Sequence, residues 1–178
     1  MTDFHIEPLT DADARELAAM HMQVWRETYA GMLSQDYLDG MQLEPRVAHW
    51  RKRIGVTNAR EHGAADAIDD IRHRSRLARH LSTGRIAGFC MVGGPRDDEA
   101  PVPQELGALN VLRDFHGSGV AHLLVDATLG NLPAYLWVVR ENLRAQAFYR
   151  KIGFAPDGGT KRDEDLECDE IRMVRPAG

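Results

Sequence analysis

The chain contains 178 residues, of which 43% are hydrophobic and 28% charged, with a formal net charge of −5 at pH 7. This length fits one globular domain over residues 1–178, which buries about 70% of the surface of its unfolded chain. The negative charge leaves no basic face for phosphates, so we expect neither nucleic acid nor a membrane surface as a partner. Apolar runs are short and no charged leader precedes one, so we expect a cytoplasmic protein.

Cysteine and histidine usage argues against disulfide and metal chemistry. Cys90 and Cys168 make neither a disulfide framework nor a CxxC pair, and each is interpreted as a small packing residue. The 8 histidines are scattered, without an HExxH motif or a tight cluster with cysteine. We therefore expect no metal site.

The first third of the chain is predicted to form one strand and three helices. The pattern indicates an edge strand at residues 4–8, a helix over about 11–30 that starts at a capping box of Thr10 and Asp13, a short helix after Ser34, and a helix from Glu44-Pro45. Residues 57–73 show no clear period, which leaves a loop and a frayed helix both open.

The remaining two thirds are predicted to alternate strands with two helices. Strands are indicated at residues 76–81, 85–92, 105–112, 134–139, 154–157 and 170–174. One helix is indicated after a glycine-rich run at 117–119, with its end at Pro133, and another after Asn142. This order predicts an α/β (α+β) fold in which a mixed sheet carries helices on both faces.

The glycine-rich run, Val111-Leu-Arg-Asp-Phe-His-Gly-Ser-Gly-Val-Ala121, joins a predicted strand to a predicted helix. Gly117 and Gly119 lack the Cβ atoms that would keep backbone amides away from a ligand, and the helix that follows points its unbonded N–H groups at an anion. The run is therefore typical of a pyrophosphate site, although an ordinary strand-to-helix turn has the same pattern. It lacks the third glycine of a dinucleotide fingerprint, which would stand at His122, and no P-loop motif occurs.

A second motif runs from Val139 to Phe154 and reads VRENLRAQAFYRKIGF. Asn142 is typical of a helix N-cap, and Gly153 is typical of a helix end. The apolar spacing between them predicts one buried helix face, which includes Phe148. Tyr149 is turned about 100° from that residue around the helix axis, so it is predicted to face a cleft while Phe148 packs in the core.

The two motifs, in this order and with a helix and a strand between them, resemble those of the GNAT superfamily of acetyl-CoA-dependent N-acetyltransferases. The resemblance covers nearly the whole chain and implies a mixed, mostly antiparallel central sheet of about six to seven strands with helices on both faces. It also implies acetyl-CoA as cosubstrate, no metal, and direct transfer of acetyl to a primary amine in a ternary complex. A small-molecule amine is the expected acceptor, and a homodimer stays open.

The resemblance also implies roles for particular residues. Tyr149 corresponds to the acid that protonates the leaving thiolate, and Glu105 corresponds to a base that removes the proton of the amine through water. Aromatic residues of the first helices correspond to the acceptor pocket, namely Trp25, Tyr29 and Tyr37. Coenzyme contacts are implied for Leu109, Asn110, Val111, His116, Gly117, Ser118, Gly119, Val120, Ala121, Asn142 and Tyr149.

The same residues also fit ordinary structural roles: Tyr149 as a packing residue, Glu105 as a solvated strand end and the helical aromatic residues as core. Asp114 and His116 depart from the family pattern, which has Gln or Arg and then Arg at these positions. Side-chain contacts to phosphate are thereby weakened, whereas the backbone site is not. Two other functions stay open: acetylation of peptide or protein N-termini or lysines, and a noncatalytic CoA-binding regulatory module.

Overall fold

The computed structural model describes residues 3–62 and 74–177, which form one seven-stranded sheet flanked by helices. The strands are β1 (Phe4–Pro8), β2 (Ser75–His80), β3 (Ile86–Gly93), β4 (Glu105–Val111), β5 (Ala134–Val139), β6 (Ala155–Asp163) and β7 (Cys168–Arg175). The α-helices are α1 (Ala14–Tyr29), α2 (Gln35–Gly40), α3 (Leu43–His62), α4 (Val120–Thr128) and α5 (Leu143–Lys151).

The sheet has the strand order β1-β2-β3-β4-β5-β7-β6, and every neighbouring pair is antiparallel except β4 with β5. β1 lies at one edge, as its weak alternation indicated. The predicted mixed, mostly antiparallel sheet with helices on both faces is therefore confirmed.

Two helical layers cover opposite faces of the sheet because alternate residues of each strand point to opposite sides. Leu136 and Val138 of β5 pack with α4 and α5 in one apolar cluster. On the other side, β2 and β3 pack against α1 and α3, where Trp50 and Phe89 are buried. Val139 points to this second side, where it meets α1 and α2. These two sides are called the α4 face and the α1 face.

β4 and β5 are parallel, and they pair only where both strands begin. The paired position is Glu105 with Tyr135, whose backbone N–H also donates to the Gln104 carbonyl at 3.0 Å. Beyond this point the two strands no longer pair, while β5 stays paired with β7 over its whole length. The sheet therefore contains an internal opening, called the β4–β5 gap, which widens toward the carboxyl ends of the two strands.

Two element boundaries differ from the sequence-based prediction. α4 ends at Thr128 rather than near Pro133, because Gly130 adopts a left-handed conformation with a φ of 54°. β6 continues to Asp163 instead of ending near residue 157, since its far half pairs with β7. The exposed, polar composition of that half gave no apolar alternation from which a strand could be predicted.

The undecided segment 57–73 is only partly described. Its residues 57–62 belong to α3, whereas residues 63–73 lie outside the described part of the chain. Within residues 3–62 and 74–177, no helix is both long and apolar enough to cross a bilayer. Over the same ranges, no group of three or more His, Cys, Asp or Glu side chains is arranged to hold a metal ion.

Gly88 of β3 is packed so closely that a side chain there would have to move its neighbours. A Cβ atom would lie 2.7 Å from the Asn110 carbonyl oxygen and 2.9 Å from Val111 Cγ2. We expect Gly88→Ala to lower the free energy of unfolding by about 1–3 kcal/mol in urea denaturation, because the backbone of β4 is displaced. Gly94→Ala is the matched control, since nothing lies within 4 Å of its Cβ position. Equal stabilities of the two variants would contradict this packing.

Candidate active site

The glycine-rich run connects β4 to α4, at the end where the β4–β5 gap is open. Gly117 and Gly119 have left-handed φ angles of 81° and 86°, and Cβ atoms there would meet nothing within 4 Å. No acceptor in the described residues bonds the N–H groups of Gly117, Gly119 or Ala121. The run thus presents three unbonded donors at the positive end of α4, an arrangement suited to an anion.

The side chains of this run shape the loop. His116 Nε2 lies 3.0 Å from the Val111 carbonyl oxygen, to which an Nε2–H tautomer donates. Burial lowers the pKa of His116 below its usual value, so the ring is neutral at pH 7. Ser118 Oγ donates to the Phe115 carbonyl at 2.6 Å, and the Val120 side chain is buried. The loop therefore offers an anion its backbone N–H groups rather than a charged side chain.

The edge of β4 that faces the gap carries unbonded backbone groups. Leu112 N–H donates to the Ala87 carbonyl at 2.9 Å, and an antiparallel ladder uses every second residue in this way. Asn110 is therefore bonded to β3, whereas the N–H groups of Leu109 and Val111 face the gap. Two of the three β4 residues predicted to contact a coenzyme thus direct a donor into the opening.

α5 begins and ends where the sequence predicts. Asn142 Oδ1 accepts a hydrogen bond from Ala145 N–H at 3.1 Å, which confirms the N-cap. Gly153 follows the helix with a left-handed φ of 92°. This short helix therefore starts at the carboxyl end of β5, beside the open end of the gap.

The side of α5 that is buried differs from the prediction. Tyr149 is only 8% exposed, whereas Phe148 is half-buried, so the expectation that Phe148 packs in the core while Tyr149 faces an open cleft is wrong. Gln146 lies one turn and Asn142 two turns before Tyr149 on the same buried side. Gln146 donates to the Arg140 carbonyl at 2.8 Å, so its burial is compensated by a hydrogen bond. Polar residues with satisfied hydrogen bonds therefore set the rotation of the helix, which apolar spacing alone could not reveal.

Tyr149 lies in a largely apolar environment. Its ring contacts those of Phe148 and Phe154 edge-on, at centre distances of 5.7 and 5.9 Å. Burial raises the pKa of the Tyr149 hydroxyl above its usual range, and the neighbouring Tyr29 acts in the same direction. The hydroxyl is therefore protonated at neutral pH and available as a donor.

Glu105 is buried where β4 and β5 begin to separate. Its side chain is 3% exposed, forms an ion pair with Arg96 and accepts a hydrogen bond from Tyr135 Oη at 3.1 Å. The backbone N–H of Arg96 also donates to it at 3.1 Å. The carboxylate is therefore not the solvated strand end that the sequence left open. Its role as a general base stays a prediction.

The three aromatic residues predicted to form an acceptor pocket lie together on the α1 face. The centre of the Trp25 ring lies 5.3 Å from that of Tyr29 and 6.0 Å from that of Tyr37. Burial and the nearby Glu170 carboxylate raise the pKa of Tyr29 to about 12, against the opposing effect of a hydrogen bond with the Asn142 side chain. Tyr29 thus connects this aromatic cluster to the start of α5.

Two aromatic groups on the same face were missed by the sequence interpretation. Trp137 of β5 donates from Nε1 to Asp97 at 2.7 Å, and Lys161 Nζ lies 4.3 Å from the centre of its ring. His21 of α1 packs edge-on against rings that include Trp50, and its Nδ1 has no partner within the described residues. The period of two in β5 could have placed Trp137 on this face. Helical spacing places His21 on the marked face of the first helix, but no local signal shows that its ring packs against residues of α3 and β3.

The central part of the chain matches a known family. Residues 73–156 match the model of the acetyltransferase (GNAT) domain, and this segment contains the glycine-rich run, the β4–β5 gap and α5. This part of the chain belongs to the GNAT superfamily.

Similar proteins agree with the GNAT assignment. An uncharacterized N-acetyltransferase of Mycobacterium bovis is 38% identical over 100 residues, which cover 53% of this chain and 60% of that relative. A probable N-acetyltransferase of Mycobacterium tuberculosis is 26% identical over 162 residues, which cover 89% of this chain and 84% of the relative. The PaiA N-acetyltransferase of Thermoplasma acidophilum, crystallised with coenzyme A, superimposes with a TM-score of 0.68 at 18% identity, covering 95% of this chain and 97% of that one. At this identity the structural match shows the GNAT fold alone.

His21 makes the stability of this GNAT protein depend on pH. Burial, assisted by the nearby charges of Arg46 and Arg53, lowers the pKa of its imidazole from 6.5 to about 3. In the unfolded chain the ring has a pKa of about 6.5 and takes up a proton at a pH where the folded protein leaves it neutral. We therefore expect the free energy of unfolding to fall as the pH is lowered from about 6.5 toward 3, measured by urea denaturation.

His21→Phe tests this assignment because phenylalanine takes up no proton. The variant should lose less stability than the wild type between about pH 7 and pH 4.5. Parallel pH dependences of the two proteins would show that His21 binds protons equally in the folded and unfolded states.

Proposed function

We propose that this GNAT protein is an acyltransferase that moves an acetyl group from acetyl-CoA to a primary amine by direct attack in a ternary complex. The observation that carries the proposal is the β4–β5 gap, which opens beside the three unbonded donors of the glycine-rich run. The gap exposes hydrogen-bonding strand edges to an extended arm, and the run offers an anion site at its open end. A ligand that joins a diphosphate to a long amide-containing chain fits both.

The coenzyme is bound mainly through the backbone in this proposal. The N–H groups of Gly117, Gly119 and Ala121 hold the diphosphate, and those of Leu109 and Val111 pair with the pantetheine arm as with an added strand. The bound coenzyme supplies the acetyl thioester. Because β4 is fixed in the sheet, its N–H groups stabilise a developing oxyanion without reorganisation, and one such donor typically lowers the barrier by about 3 kcal/mol.

Tyr149 is the residue that we assign to the leaving thiolate. Burial keeps its hydroxyl protonated at neutral pH, so it can donate to the sulfur as the carbon–sulfur bond breaks. Tyr29 and the α5 cap Asn142 lie at this same open end of the gap. Glu105, paired with Arg96 at the closed end, is the residue that we assign to take up, through water, the proton that the attacking amine loses.

A small-molecule amine is the proposed acceptor, bound on the α1 face beside the aromatic cluster. One assay tests this proposal, and two of its outcomes would indicate a different function. The assay follows thiol release when the protein is incubated with acetyl-CoA and a panel of small amines and peptides. Release with peptides alone would indicate a peptide or protein acetyltransferase. Thermal stabilisation by CoA without release on any amine would indicate a noncatalytic CoA-binding module.

Gly117→Val should abolish detectable binding of acetyl-CoA in isothermal titration calorimetry. A β-branched side chain at a φ of 81° strains the turn and also covers the amides that face the ligand. Gly84→Val is the matched control, because Gly84 has a φ of 69° and open surroundings in the turn between β2 and β3. Its affinity should equal that of the wild type. Wild-type affinity in Gly117→Val would remove the glycine-rich run from the coenzyme site.

Tyr149→Phe should lower kcat by about 100-fold or more while changing the Kd for acetyl-CoA little, because the lost donor acts on the leaving thiolate. Steady-state thiol release and calorimetry measure the two quantities. Thermal unfolding of the variant shows whether the packing around Phe154 is retained. Wild-type turnover in a folded variant would leave Tyr149 with a packing role only.

A further inference from the structure

We propose that the acceptor amine carries an anionic group, carboxylate or phosphate, which binds at Arg46 of α3. This inference rests on the acetyltransferase function proposed above and names its acceptor class. The surface concerned is the basic row of α3, defined as Arg46, His49 and Arg53. These residues are three and four positions apart, so they share one side of the helix.

The basic row lies beside the aromatic cluster proposed for the acceptor. Arg46 Cζ lies 5.6 Å from the centre of the Trp25 ring, and Trp25 in turn contacts Tyr29. At the other end of the row, burial lowers the pKa of the Arg53 guanidinium, the nearby charge of Arg96 acts in the same direction, and Glu105 opposes it. The row therefore runs along the α1 face from the aromatic cluster toward the closed end of the β4–β5 gap.

Positive charge gathers around His21. Burial lowers the pKa of its imidazole most, and Arg46, Arg53 and His49 act in the same direction. Within the described residues, no carboxylate lies within ion-pair distance of Arg46. Trp50 Nε1, buried next to His21, also donates to none of the groups described. Arg46 thus carries a positive charge without a paired carboxylate beside the aromatic cluster, and an anionic group would supply that partner.

The opposite side of the aromatic cluster is acidic. The Glu170 carboxylate acts on Tyr29 and lies 3.3 Å from Lys161 Nζ, with its side chain 15% exposed. A ligand lying across the cluster would therefore meet a carboxylate at one end and Arg46 at the other. An amine with a carboxylate or phosphate on the same small frame matches this charge distribution, with its anion at the row.

The test compares amines that differ only in the anionic group. Each α-amino acid is paired with its carboxamide, and phosphoethanolamine is paired with ethanolamine. For each compound, kcat/KM is measured by thiol release with acetyl-CoA. Because the members of a pair differ in amine basicity, the informative quantity is the ratio within a pair, compared between wild type and variant. We expect Arg46→Gln to lower kcat/KM for the charged member about tenfold more than for the neutral member.

Arg51→Gln is the matched control, since it removes the same charge from the same helix. Arg51 is 61% exposed and lies 3.6 Å from Asp11, away from the basic row. It should leave every ratio unchanged. Equal effects of the two substitutions, or ratios that neither substitution changes, would overturn the proposal. A carboxylate-selective or phosphate-selective effect of Arg46→Gln identifies which anion the site takes.

A binding measurement tests the acceptor class without turnover. Amino acids and phosphoethanolamine are titrated calorimetrically into the folded protein saturated with CoA. Binding that is weakened about tenfold by Arg46→Gln and not by Arg51→Gln supports the proposal. Absence of binding by every charged amine, or equal binding to both variants, overturns it. Failure of the proposed function has a different signature, which is no thiol release with any amine.

Discussion

Unpaired backbone in the middle of a sheet is the constraint on which the rest of this structure depends. Strand N–H and C=O groups normally bond to the neighbouring strand, and buried groups without partners are costly. Here the N–H groups of Leu109 and Val111 face a neighbour that has moved away. The His116 ring bonds the Val111 carbonyl, which satisfies one acceptor and ties the glycine-rich run to β4. The remaining donors are what a coenzyme would use.

The closed end of the gap is held by a buried charge rather than by further strand pairing. Glu105 on β4 accepts from Tyr135 on β5 and pairs with Arg96, which comes from the loop before β4. A buried carboxylate is tolerated when its oxygens are bonded in this way, and removing a partner would leave an uncompensated charge. The ion pair therefore fixes the point at which the strands separate, and the geometry of the opening follows from it.

Local signals were sufficient to predict the helices, the strands and the glycine-rich run from the sequence. The Thr10 cap, the Asn142 cap and the left-handed glycines act within a few residues, so the sequence alone locates them. The burial of Tyr149 and the partner of Glu105 depend on contacts between separate elements, and neither could be predicted. The basic row of α3 was missed for the same reason, because its meaning comes from Trp25 on another helix.

The tryptophans of this chain give it a built-in optical probe. All 3 lie on the α1 face: Trp25 next to Arg46, Trp50 against Phe89, and Trp137 near Lys161 and Arg172. The glycine-rich run and α4 contain no indole. Indole emission responds to nearby charge, so intrinsic fluorescence should follow the arrival of an acceptor with little contribution from the diphosphate end of the coenzyme. The order in which the acceptor and the coenzyme bind can therefore be measured by intrinsic fluorescence, without an added label.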